Sequence, residues 1–128
     1  MRSPADDLAR WLGTQGIGVF GQDISVGMEP ASPIEVVTLY DTGGEPPDTV
    51  ELDLFRSTIQ VRVRSKNYAV AYNRHEQIRD TLILPGRIDT GSSVFVEIDM
   101  TSDIASIGRD DNDRYLMTAN YRVIRERS

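Results

Sequence analysis

Between Ser57 and Leu82 the apolar residues change their spacing once, from every second position to every third or fourth, and that change commits the chain to setting a helix against a sheet. In Ser57–Ser65, Ile59, Val61 and Val63 point one way, while Thr58, Gln60, Arg62 and Arg64 point the other. The pattern predicts a half-buried strand with a polar, arginine-bearing outer side. A helix is expected from about Asn67 to Leu82, with Asn67 as its cap and Ala71, His75, Ile78 and Leu82 on one stripe. Pro85-Gly86 ends it.

The remaining segments extend this α+β reading. A short helix is expected from Pro4 to Leu12: Ser3 can cap it, Pro4 suits the first position, and Asp6 and Asp7 favour the positive end. Leu8, Trp11 and Leu12 share a face, and Gly13 offers a stop. Residues 13–33 are rich in glycine and proline, with weak strands around Ile17–Phe20 and Ile24–Met28. Ile34–Tyr40 is a better strand, followed by an acidic, turn-rich loop over Asp41–Asp48. Strands are expected at Val94–Met100, Ile104–Ile107 and Tyr115–Ile124, with a polar turn over Gly108–Arg114 and a loose tail at 125–128. The whole reads as one domain, 1–128: a mainly antiparallel β-sheet with helices packed on one face.

Composition narrows the function classes. The net charge of −6 argues against a general nucleic-acid binder, which normally carries a basic footprint. The charge is unevenly spread, at −8 over residues 1–54 and +2 over 55–128, which suits head-to-tail contact in a ring. Thirteen of the fourteen basic residues are arginine, the type enriched at protein interfaces. The absence of cysteine rules out disulfides and thiolate metal sites. No apolar run is long enough to span a membrane, and the first residues lack the apolar core of an export signal.

Little points to catalysis. His75 is the only histidine and lies on an apolar helix stripe, so it is expected to be packed rather than to ligate metal or serve a triad. Asp110–Asp113 resembles a calcium loop only in composition, since position five is Arg114. No phosphate-binding glycine loop is present. No catalytic residue, cofactor or metal site is expected. The rival is a retroviral-type aspartic protease, because Asp41-Thr42-Gly43 and Asp89-Thr90-Gly91 both spell its catalytic triplet and Ile107-Gly108-Arg109 resembles its later motif. That chemistry needs two carboxylates sharing a proton across a two-fold axis. The long helix after Asp41 is wrong for it, and the 18 residues between Asp89 and Gly108 are too few for the intervening strands and flap. Asp-Thr-Gly is also a natural turn sequence, and both triplets are read as turns.

From Tyr40 onward the sequence resembles the bacteriophage minor capsid or tail terminator family. The resemblance rests on Leu39-Tyr40-Asp41-Thr42-Gly43-Gly44-Glu45-Pro46-Pro47, on Gln60-Val61-Arg62-Val63-Arg64-Ser65 with the helix after it, on Gly108–Tyr115, and on Asn120-Tyr121-Arg122-Val123. Asp113 departs from it, standing where a small turn residue such as glycine is expected. The resemblance implies a non-enzymatic virion protein at the head–tail junction, present in the host cytoplasm during assembly. It implies a hexameric ring that caps the tail tube and binds the head connector, with DNA passing through the lumen without specific binding. Arg62 and Arg64 are the first candidates for the subunit interface, with Gln60, Arg109 and Arg114 next. A small bacterial adaptor domain is the remaining alternative.

Overall fold

The computed structural model describes residues 1–46 and 54–127. Two helices and six strands follow in the order α1 (Pro4–Thr14), β1 (Ile24–Val26), β2 (Val36–Gly44), β3 (Leu54–Ser65), α2 (Tyr68–Ile83), β4 (Ile88–Asp89), β5 (Ser93–Arg109) and β6 (Tyr115–Arg127). The strands form one sheet in the order β1-β2-β3-β6-β5-β4. Only the β1–β2 pair is parallel. This is the expected α+β architecture, with the sheet mainly antiparallel.

Register explains the core. Val37, Val63 and Met117 stand opposite one another across β2, β3 and β6, as do Leu39, Val61 and Ala119 in the next row on that face. All six are buried, together with Leu8 and Leu12 of α1 and Ala71, Ile78 and Leu82 of α2. The expected stripe of α2 is therefore its buried face, and Asn67 caps the helix by accepting from the Val70 N–H at 3.1 Å. Ser3 caps α1 in the same way, accepting from Asp6 at 3.2 Å, a contact worth about 1 kcal/mol.

Several boundaries differ from the sequence expectation. Gly13 does not stop α1, because the left-handed position falls at Gly16 (φ +80). There Gly16 N–H bonds to Gly13 O and Ile17 N–H to Leu12 O, and buried Ile17 closes the helix end. The weak strand at Ile17–Phe20 is reduced to a single bridge between Phe20 and Ile24. Asp41-Thr42-Gly43 is not a turn. It lies inside β2, which continues to Gly44 through a bulge whose glycines take φ +97 and +120. Pro47 and Asp48, the end of the expected acidic loop, lie outside the described residues. The two strands expected at Val94–Met100 and Ile104–Ile107 are one strand, β5, whose pairing with β6 shifts register four times. The expected loose tail is strand as far as it is described: β6 runs to Arg127, Arg125 is buried, and Ser128 lies outside the described residues.

A buried polar cluster ties α1 to the β4–β5 hairpin. Asp7 is fully buried and accepts from Ser93 Oγ at 2.5 Å and Thr90 Oγ1 at 2.8 Å. Arg125 approaches the same carboxylate at 4.0 Å and donates to Arg2 O at 2.7 Å. Burial lowers the pKa of the Arg125 guanidinium, with Asp7 the main opposing charge.

Candidate functional site

The second face of the sheet carries the polar side chains. Across it run two rows: Thr38, Arg62 and Thr118, then Tyr40, Gln60 and Asn120. Side chains pair along this surface. Gln60 donates to Asn120 Oδ1 at 3.3 Å, and Asn120 donates to Ser102 Oγ at 2.8 Å. Thr42 bonds to Thr58 at 2.8 Å, and Arg122 to Asp99 at 3.1 Å. The result is a ladder of polar groups that presents donors and acceptors in rows, with neighbours within a row about a strand spacing apart.

At one end of this face, residues 29–34 fold over it. Arg64 holds them: it donates to Ile34 O at 3.1 Å, Pro33 O at 2.7 Å, Ala31 O at 3.4 Å and Glu29 Oε1 at 3.4 Å. Arg62 Nε lies 3.2 Å from the other Glu29 oxygen. Arg114 reaches in from the β5–β6 turn and donates to Ala31 O at 3.0 Å. Ser65 Oγ donates to Glu35 at 2.9 Å, closing the far side. Glu29 also raises the Tyr40 hydroxyl pKa, second to burial itself.

Of the five expected interface residues, Arg62, Arg64 and Arg114 thus converge on Glu29 and Ala31, and Gln60 neighbours them on β3. Arg109 stands apart at the tip of the β5–β6 hairpin, 3.6 Å from Asp113 and with its guanidinium 5.8 Å from the Tyr115 ring centre. The expectation of an exposed arginine row fails at Arg64, which is 2 % exposed because the 29–34 segment covers it. Arg62 keeps 28 % of its side chain accessible. The sequence reading missed Glu29 altogether, since its partners lie more than thirty positions away and no local pattern marks it.

The hairpin turn is ordered by Asp110, whose carboxylate accepts from the N–H groups of Asn112 (2.9 Å) and Arg114 (3.0 Å) and from Arg114 Nε (2.7 Å). Asp113 sits at φ +58, the conformation that favours glycine, which accounts for the expectation of a small residue there.

The motifs considered for chemistry are used structurally. Asp41 accepts from the Ala5 N–H at 2.9 Å, at the start of α1. Asp89 accepts from the Gly91 N–H at 2.9 Å, and Gly91 takes φ +85, so the second triplet is the expected turn. His75 is fully buried and its Nε2 lies 2.8 Å from Met117 O. A carbonyl only accepts, so that nitrogen carries the proton. Burial holds the ring's pKa below its ordinary value, opposed by this bond. Among the described residues no cluster of His, Asp or Glu could hold a metal ion, and no helix is long and apolar enough to cross a membrane.

A family model described as "Bacteriophage tail terminator protein" matches residues 11–127. No curated protein matches the chain.

Proposed function

Because the chain belongs to the bacteriophage tail terminator family, a group of structural virion proteins that work with other components of the tail, we propose that it forms a hexameric ring at the head–tail junction. The ring caps the finished tail tube and joins it to the head connector, after assembly in the host cytoplasm. The observation that carries this reading, beyond the family match, is the polar sheet face with its arginines already fixed. Arg62 and Arg114 are held by Glu29, Asp110 and Ala31, so a partner meets side chains whose conformational entropy is largely spent. Arginine in that condition makes forked contacts at low ordering cost.

Gln60, Arg62, Arg109 and Arg114 are the proposed contact residues. Arg64 serves the same surface from behind, by holding the 29–34 segment in place. The net charge of −6 suits a lumen through which DNA passes without being gripped, since like charges weaken contact with the phosphate backbone.

Native mass spectrometry and negative-stain imaging of the chain, alone and with purified tail tubes, test the proposal. The expected species is a ring of six times the 14.3 kDa chain mass. Arg109→Glu, at an exposed site, should weaken that ring while leaving the circular dichroism unchanged. A species that stays monomeric in both preparations refutes the ring.

A further inference from the structure

Between α1 and the C-terminal end of α2 lies a cleft of about 500 Å³. Trp11 and Gln15 line it from α1, and Asp80, Thr81, Leu84 and Pro85 line it from α2 and the residues after it. Trp11, Leu84 and Pro85 give it apolar walls, and Leu84 is 78 % exposed, more than any other large apolar side chain among the described residues. Asp80 is the one charged residue in the lining, with 54 % of its side chain accessible. Its base in the same copy is Arg79, at 3.2 Å, and Glu76 draws on that guanidinium as well, at 3.8 Å. Two carboxylates share one base, so the rim keeps negative charge to spare. Such a cleft fits an apolar side chain that arrives with a cation.

The chain itself carries such a pair. Of its exposed apolar side chains, Met28 and Ile34 are followed directly by Glu29 and Glu35, and the Val19 N–H is held by the Asp23 carboxylate at 2.6 Å, so an acidic rim disfavours all three. Met1 precedes Arg2, but that guanidinium faces the buried Asp7 at 3.9 Å. Tyr68, near Lys66, packs edge-on against Tyr115 at 5.5 Å. Ile107, 52 % exposed, has Arg109 as its nearest charged neighbour in sequence, and Arg109 keeps 56 % of its side chain accessible. The contact of Arg109 with Asp113 joins two exposed groups and contributes little, so it yields to a better partner. The register shift between Ser106 and Arg109, with Gly108 at φ +98, is a bulge, a device that re-aims side chains. Ile107 does not reach the cleft of its own copy. Tyr68, against Tyr115, begins α2 and Leu84 follows its last turn, about 24 Å along the helix.

We infer that the β5–β6 hairpin of one copy docks in the α1–α2 cleft of a second copy, with Ile107 against Trp11, Leu84 and Pro85 and Arg109 on Asp80. Hairpin and cleft are different surfaces, so the contact is head-to-tail, the class that closes into a ring when its rotation divides a full turn. The inference rests on the ring reading above and names the surface that Arg109 meets in it.

Charge exchange and cross-linking of the full chain, alone and with tail tubes, test the contact. Asp80→Arg, at an exposed site, should weaken the ring at least about tenfold with unchanged circular dichroism, and Asp80→Arg/Arg109→Glu should restore it. An unchanged ring in the single variant, or no recovery in the double, removes the charged contact. Because the chain has no cysteine, Leu84→Cys/Ile107→Cys treated with an oxidant or a short bis-maleimide should yield a ladder of covalent oligomers, and each single variant none. Dimers from either single variant would set like surfaces together and overturn the head-to-tail contact. A ladder from Leu84→Cys/Met28→Cys but not from Leu84→Cys/Ile107→Cys would put another segment in the cleft. Cross-linking of Leu84→Cys only to tube protein, in a preparation containing tails, overturns a second copy as the occupant. A wild-type ring of six whose Leu84→Cys/Ile107→Cys variant does not cross-link leaves the ring standing and removes this contact. A wild-type chain that stays monomeric with and without tails refutes the ring itself, and this inference with it.

Discussion

Replacing Asp7 by alanine should be among the most damaging single changes in this protein. Its carboxylate accepts from Ser93 and Thr90 and faces the buried Arg125, so truncation leaves the buried Ser93 hydroxyl and the Arg125 guanidinium without it, while half-buried Thr90 keeps Ser93 O as an acceptor. Breaking a buried ion pair by removing one partner costs about 3–5 kcal/mol, and the pair here is reinforced by the hydroxyl donors. Against a total stability of about 5–15 kcal/mol, that is about a fifth or more of the reserve. With a urea m-value of about 2 kcal/mol/M, the unfolding midpoint should fall by about 2 M at unchanged m. Asp7→Asn keeps the shape and one acceptor, and should cost less, about 1–3 kcal/mol. The reasoning also demands coupling. After Arg125→Met, the further change Asp7→Asn should cost at least 1 kcal/mol less than it does in the wild type. Urea unfolding of the four proteins decides it. A loss below about 1 kcal/mol for Asp7→Ala, or strict additivity in the cycle, would refute the account of how α1 is held.

Three further outcomes are expected. His75 is buried neutral with a lowered pKa, so the unfolded chain takes up a proton below pH 6.5 that the folded chain refuses; stability should be flat above that value and fall as pH drops below it. His75→Gln should flatten this part of the pH–stability curve measured by thermal unfolding, and an unchanged slope would clear His75 of the effect. Arg64→Ala should cost about 3–5 kcal/mol and raise hydrogen exchange over residues 29–35 far more than elsewhere, because four of the contacts holding that segment come from Arg64. Asp113→Gly should stabilise by about 0.5–1 kcal/mol, as a left-handed backbone no longer carries a side chain; a loss in chemical unfolding would contradict this.

What could be read from the sequence was what local chemistry fixes. Asn67, Ala71, His75, Ile78 and Leu82 define α2 by cap and spacing, and the alternation over Ile59–Val63 defines β3, because both signals lie within one element. Asp41–Gly44 misled for a physical reason: the residues that make a turn also make a bulge, and only pairing with β3 tells the two apart. The unity of β5 was hidden by its four register shifts, each of which resets the alternation, and β4 is too short to show any. The site was half legible. Alternation placed Gln60 and Arg62 on one face of β3 and composition placed Arg114 in a polar turn, but the meeting of Arg62 and Arg114 at residues 29–31 and the burial of Arg64 depend on Glu29, Ala31 and Pro33, all about thirty positions or more away. The family resemblance, drawn from Tyr40 onward, agrees with the match over residues 11–127.

The position of β6 bears on how the protein is made. Of the six strands it is made after the other five, yet it lies between β3 and β5 and, among the described residues, is the only strand that bonds to both. Until Tyr115–Arg127 emerges, the nascent chain consists of a β1–β2–β3 portion and a β4–β5 hairpin with no ladder between them. Translation therefore delivers two open-edged fragments and then, in thirteen residues, the piece that joins them. Once Arg109 has been made, β3 and β5 each have an edge that awaits β6, and synthesis of Tyr115–Arg127 fills both at once.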